Sequence, residues 1–359
     1  MKYRKTELLE KLSLLFGPSG CEDEVADFII EQIEGDCDSV SRDRKGNVIA
    51  KVCGRGIEYN AENPKKVMIC AHMDEVGMMV SDITEEGYLN FLTIGGILPC
   101  VLADKKITLQ TVNGEKISGV ISSRAIHCQT PEELKTVTPI NKLYIDIGAR
   151  SAEEARKYVE IGTPCVFDSD FVLFGEKNEF IKGKALDDRL GCAVMIELMR
   201  KIYHNAHVLE YDVYFAFTVC EEIGISGAKV AAASICPDAA IVLESTAVAD
   251  IHGTPEGSRV AVLGEGGAIS IMDRLTIYDR NLVEIALNVA KSREIPVQIK
   301  KYVSGGNDSA KIQRSGKGVK VLSLSAPSRY IHSTSCVVHS KDIESMEALV
   351  YALVAGGKI

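Results

Sequence analysis

A chain of 359 residues that is 46% apolar and 25% charged can bury a sizeable core, and its length suggests two domains. Its formal charge of −9 argues against a nucleic-acid partner, which needs a basic face. No apolar run approaches the roughly 18 residues of a membrane span, so no membrane partner is expected.

The basic start, residues 1–5, leads into an amphipathic helix over 6–16 rather than a signal-peptide core, with Leu8, Leu9, Leu12, Leu15 and Phe16 on one face. A second helix is predicted over 22–33, then strands over 47–52 and 66–71. From 76 to 168 the texture changes to short alternating runs broken by glycines. Asn113-Gly114 between two such runs predicts a type I′ hairpin. A helix over 152–159 is opened by a capping box of Ser151 and Glu154. The α/β texture then returns: helix 188–203, strands 211–219 and 239–243, helix 281–293, strands 297–302 and 319–324, and a closing helix 343–355. The fold class expected is α/β, a catalytic α/β domain made of residues 1–75 and 169–359, with a small β-rich domain, 76–168, inserted in it.

Eleven cysteines without a Cys-x-x-Cys pair, several within apolar runs (Cys70, Cys192, Cys220), read as reduced thiols and hence as a cytoplasmic protein. The glycine-rich stretches 264–267 and 305–306 do not precede helices at phosphate-loop spacing, so no nucleotide is expected.

Five possible metal ligands follow apolar runs: His72, Asp187, Glu222, Glu244 and His332. In an open α/β sheet the C-terminal ends of strands gather in the crevice where ligands bind. Imidazoles and carboxylates meeting there would suit a pair of divalent ions. Each residue also has a plainer reading. His72 and Asp74, two apart in an extended run, face the same way, as an imidazole and its orienting carboxylate would, or as a hydrogen-bonded pair at a strand end. Asp187 could bridge two ions or cap the following helix. Glu221 and Glu222 could divide into a base and a ligand, since neighbouring strand residues face opposite ways, or could be a solvated pair in a loop. Glu244 could be an exposed strand end, and His332 an ordinary loop histidine. His127, His204, His207, His252 and His339 read as structural or surface residues.

The ordered set His72-x-Asp74-Glu75-Val76-Gly77, Ala185-Leu186-Asp187-Asp188-Arg189-x-Gly191, Glu221-Glu222-x-Gly224, Glu244, Gly305-Gly306-x-Asp308 and Tyr330-Ile331-His332-Ser333 resembles the M42 family of dinuclear metallo-aminopeptidases. The resemblance runs from Gly17-Pro18-Ser19-Gly20 to His332 and includes the position of the insert. It implies one ion held by His72 and Glu244, another by Glu222 and His332, and Asp187 bridging both. Glu221 would be the general base towards an ion-bound water, and Asp74 the carboxylate that orients histidine. It further implies zinc or cobalt, a cis bond between Asp187 and Asp188, peptides (short or unfolded) as substrates, and a homo-oligomer, a tetrahedral dodecamer, assembled through the insert. Two positions depart from the family pattern: Glu244 where aspartate is frequent, and Asn307 where threonine is common.

Two other classes compete. Paired carboxylates also serve a glycoside hydrolase of endoglucanase type, but that chemistry needs no histidine ligands, and the chain has no tryptophan for a sugar platform. A non-catalytic scaffold would not need the whole ligand set.

Overall fold

The computed structural model describes residues 2–205, 209–303 and 305–359; His207 lies outside them. In chain order the elements are helices α1 (Lys2–Leu14) and α2 (Asp23–Ile33), then strands β1 (Ser39–Arg42), β2 (Val48–Val52) and β3 (Lys66–His72). Next come β4 (Gly77–Ile83), β5 (Leu89–Ile94), β6 (Lys106–Gln110), β7 (Lys116–Ile121), β8 (Ile145–Asp146), α3 (Ala152–Ala155) and β9 (Pro164–Phe167). They are followed by β10 (Val172–Phe174), β11 (Phe180–Gly183), α4 (Leu186–His204), β12 (Asp212–Thr218), α5 (Ser226–Ile235) and β13 (Ala239–Ala247). The last are β14 (Gly267–Ile269), α6 (Arg280–Ser292), β15 (Val297–Ile299), α7 (Ser309–Ile312), β16 (Lys320–Ser328), β17 (Cys336–His339) and α8 (Ser340–Ala355).

Eight strands form the main sheet in the order β1-β2-β12-β3-β13-β16-β14-β15. Its centre, β12-β3-β13-β16, is parallel. Strands β12, β3 and the first half of β13 are near-continuous apolar runs because both faces are covered. Helices α1, α2, α4, α6 and α8 pack on one side, and α5 and α7 on the other. Parallel strands joined through helices bring all four C-terminal ends to one edge.

Between β3 and β12 the chain leaves this sheet and closes β4-β5-β8-β7-β6-β9 into a barrel with its own apolar core, including Met78, Phe91, Leu109, Ile145 and Phe167. Strands β10, β11 and β17 make a small antiparallel sheet. The architecture is therefore an α/β catalytic-type fold with an inserted β-rich unit.

Several local expectations need correction. The turn between β6 and β7 is not type I′, which requires positive φ at both central residues. Gly114 has φ 82°, but Asn113 is not left-handed, and the Gly114 N–H bonds to the Thr111 carbonyl at 2.9 Å. That is the longer hairpin loop that ends on a left-handed glycine. The helix over 152–159 stops at Ala155, although Ser151 does cap it by accepting from the Glu154 N–H. Strand β13 runs on to Ala247, so Glu244 sits inside a strand and not at its end.

Candidate metal centre

His72 is the last residue of β3, and Glu244 lies one strand away on β13. Asp187 lies in the non-helical opening of α4, joined to Asp188 by a cis bond, with Ala185 left-handed before it. It does not cap that helix through its side chain. Glu221 and Glu222 lie in a turn beyond β12, not on the strand, so strand alternation is not what separates them. His332 follows β16 in a loop.

These dispersed residues meet. His72 Nε2 lies 3.4 Å from Asp187 Oδ1 and 4.0 Å from Glu244 Oε1. On the other side His332 Nε2 lies 3.3 Å from Asp187 Oδ2 and 3.2 Å from Glu222 Oε1. The donor atoms of His72, Asp187 and Glu244 all fall within 4.8 Å of one another, and so do those of Asp187, Glu222 and His332. Asp187 thus gives one oxygen to each cluster.

Both imidazoles are oriented through Nδ1. His72 Nδ1 is 3.0 Å from the Asp74 backbone carbonyl, and His332 Nδ1 is 2.8 Å from that of Gly96, in the loop between β5 and β6. A neutral ring that donates from Nδ1 presents a lone pair on Nε2, as a ligand must. The Asp74 carboxylate touches His72 less closely, at 3.5 Å. Its main contacts are the backbone N–H groups of Glu221 and Glu222, at 3.0 and 3.1 Å, and the Ser19 hydroxyl at 2.6 Å. It therefore positions the Glu221–Glu222 turn as much as the ring.

Electrostatics follow from crowding in a buried space. Burial pushes the Glu221 carboxyl well above the usual range, helped by Asp308, Glu222 and Asp74 and opposed by His72. Burial likewise raises Glu244 and Glu222. Burial would lower His332, but Asp187 and Glu222 outweigh it and raise its pKa to about 11. His72 is raised well above its ordinary value for the same reason, by Asp187 and Asp74. Burial also opposes ionisation of Asp187, yet the two histidines hold it below the carboxylate range.

The set fits divalent ions on its own geometry. Asp187 Oδ1 and Glu222 Oε1 are buried and lack hydrogen-bond partners among the described residues. A buried carboxylate oxygen without a donor costs free energy unless a cation meets it. Five of the nine non-glycine residues with positive φ among those described, Ala185, Cys220, Ile225, Tyr330 and His332, lie at or beside the site residues. Such conformations cost of order 1–3 kcal/mol each and gather where a site must be held.

The sequence alone did not single out the Gly96 carbonyl or Ser19, whose role depends on the parallel bridge between Pro18 and Glu75. It also missed the ion pair of Lys184 with Glu75, at 2.6 Å, and the fully buried Arg189 guanidinium, which donates to the Leu12 carbonyl at 2.6 Å. Its place in the motif Ala185-Leu186-Asp187-Asp188-Arg189 was the available signal for Arg189. Asp308, of uncertain role in sequence, accepts from Thr218 at 2.5 Å and from Cys70 at 3.3 Å, tying the ends of β12 and β3.

Comparison with known proteins gives the family and the fold. Residues 46–349 match the family model described as M42 glutamyl aminopeptidase. The lysyl aminopeptidase of Pyrococcus furiosus is 32% identical, covering 97% of this chain and 96% of its own. The TET aminopeptidase of a marine-sediment thaumarchaeon superposes with TM-score 0.92 at 33% identity, over 99% of this chain and 96% of that one. The TET1 peptidase of Pyrococcus horikoshii, which can assemble into a tetrahedron or a large octahedral shell, gives 0.85 at 32% identity, over 98% and 99%. The glycosidase alternative has no support in carboxylates that converge on two imidazoles. The chain belongs to the M42 family of peptidases.

Proposed function

We propose that the protein is a metal-dependent aminopeptidase that removes the first residue from short or unfolded peptides. The observation that carries this reading is Asp187, whose two oxygens face one histidine–glutamate pair each. His72 and Glu244 would hold one divalent ion, Glu222 and His332 a second, with Asp187 shared; zinc or cobalt suits this nitrogen and oxygen set. Bound there, such ions supply Lewis acidity towards the peptide carbonyl and lower the pKa of water towards ~7. Glu221 accepts the proton of the attacking water and returns it to the leaving amine. A carboxyl raised by burial is suited to that exchange near neutral pH. Asp74, through the backbone N–H groups of Glu221 and Glu222, keeps the base beside the ligands.

Residues 76–168 are read as the dimerisation and assembly domain, and 1–75 with 169–359 as the catalytic domain. Exposed apolar side chains on the insert, among them Leu92, Leu98, Ile126 and Val137, support an interface there. A homo-oligomer follows, dodecameric as the tetrahedral relatives suggest, and a cytoplasmic location suits the buried free thiols Cys70, Cys192 and Cys220. Among the described residues no helix is long and apolar enough to cross a membrane.

The test is hydrolysis of aminoacyl chromogenic substrates before and after chelation, with activity restored by Zn²⁺ or Co²⁺. In Glu221→Gln the rate should fall by roughly 10²- to 10⁴-fold with bound metal retained. Undiminished turnover at full metal content would remove Glu221 as the base. Light scattering decides the assembly: a monomer rules it out.

A further inference from the structure

The turn that carries Glu221 is held through the N–H groups of successive residues, each bonded to a side chain from the N-terminal part of the chain. Val219 N–H donates to Asn47 Oδ1 at 3.1 Å and Cys220 N–H to Glu22 Oε1 at 3.0 Å, while those of Glu221 and Glu222 go to the two Asp74 oxygens. Glu22 occupies the position that opens α2, where a short side chain reaching back to the helix N–H groups is favoured. It makes no such bond. Its carboxylate is buried and turns instead to the Gly20 N–H, at 2.8 Å, and to Cys220, 198 residues further along the chain.

Cys220 has φ 54°, a left-handed conformation that a residue with a side chain keeps only where its surroundings hold it. That angle sets the direction in which the chain leaves β12 towards Glu221. Glu222 has His332 beside its carboxylate, but among the described residues Glu221 is hydrogen-bonded through its backbone alone. The place of the Glu221 carboxylate therefore depends on the backbone beneath it.

We infer that Glu22 is a positioning residue for the base: through the Cys220 N–H it fixes the turn that aims the Glu221 carboxylate at the attacking water. This rests on the aminopeptidase reading, in which Glu221 takes that water's proton. A misplacement of about 1 Å is enough to slow such a step by ~10²-fold. Metal binding draws on other groups, since Glu222 stays tied to Asp74 and faces His332.

The experiment separates the turn from the helix. Glu22→Asp keeps the charge and supplies a favoured cap for α2, but it is one methylene shorter and draws back from Cys220. Glu22→Gln keeps the length and an acceptor oxygen. On leucyl, glutamyl and lysyl p-nitroanilides, zinc-reconstituted full-length Glu22→Asp should show kcat lowered by about 10- to 100-fold, with KM changed by less than about threefold. Glu22→Gln should keep kcat within about threefold of the wild type. Zinc per folded subunit, a readout without turnover, should match the wild type in both variants. Wild-type kcat in Glu22→Asp would show that Glu22 serves only its own loop and helix, and overturns the assignment. So does a Glu22→Gln as slow as Glu22→Asp, or a loss of zinc from either folded variant, which would make Glu22 a support of the ligands. Each of these outcomes leaves the aminopeptidase reading standing. A wild type that hydrolyses none of the three substrates overturns that reading, and the role of Glu22 with it.

Discussion

Inside the barrel Met78, Val80, Leu89, Phe91, Ile107, Leu109 and Phe167 pack into one apolar cluster. At the C-terminal edge of the main sheet the enclosed space holds His72, Asp74, Asp187, Glu244 and Asp308 instead. The barrel gains free energy from every methylene it buries, at roughly 25 cal/mol per Å² of apolar surface. The sheet edge gains nothing of that kind and must be held by the core beneath it. Strands β3, β12 and β13 supply that core, with Met68, Ile69, Phe215, Phe217, Ile241 and Val242 all buried under the charged edge. The two regions show one chain using burial for stability in one place and for reactivity in another.

The contrast can be broken at its sharpest point with Asp187→Ala. Both clusters lose their shared oxygens, so metal content should fall below that of the wild type and kcat/KM by about 10³-fold or more, the loss of a metal-assisted step. Metal analysis with the chromogenic assay checks this, and a variant that keeps full metal and rate refutes the shared ligand. In the barrel, Leu109→Ala should instead cost about 2–5 kcal/mol, the usual range for emptying a buried leucine site. Urea unfolding would report it, while metal per folded molecule stays at the wild-type level. Loss of metal from folded Leu109→Ala would show that the two regions are not separable in this way.

A third measurement concerns protons. His332, raised to about 11, and His72, also raised, carry protons in the metal-free protein below those values. The ion pairs they make stabilise the metal-free fold fully below the ordinary histidine pKa, and that stabilisation is lost as pH rises through the raised values. Metal must displace these protons, so affinity should rise with pH, about tenfold per unit for each proton released. Zinc titration in weakly buffered solution at pH 6, 7 and 8 checks both the protons and the slope, and a pH-independent affinity refutes the assignment. The smallest expected effect is that of Ser19→Ala, which removes one of the hydrogen bonds to the Asp74 carboxylate. It should cost about 1–3 kcal/mol, because Asp74 stays buried with one acceptor less. Denaturant melts report the change, and an unaltered midpoint would show that the Ser19 contact is immaterial.

The sequence was legible where a single rule governs. Continuous apolar runs marked most of the central strands, and a change to short alternating runs marked the inserted β-rich unit. The five candidate ligands stood out as a set because each follows such a run and because their order resembles a family. What escaped depends on three-dimensional neighbours. Glu244 read as a strand end because a carboxylate breaks an apolar run, yet its ladder with β16 continues to Ala247 and Ser328. Asn113-Gly114 predicted the hairpin but not its type, since only Gly114 takes the left-handed conformation. Asp74 looked like a partner of His72 alone. Its bonds to Ser19 and to the turn at 221–222 join segments separated by 55 and 147 residues.

The loop between β5 and β6 reaches out of the barrel, and its Gly96 carbonyl sits on the Nδ1 edge of His332. Position 95 is tight, since a methyl group added to Gly95 would press on Val76 and Glu222. A chimera carrying a foreign barrel would therefore have to reproduce this loop's height and its small residues, or the imidazole would lose the acceptor that fixes its tautomer. Insert and sheet are thus tied together at the candidate site itself, so one cannot be exchanged without regard to the other.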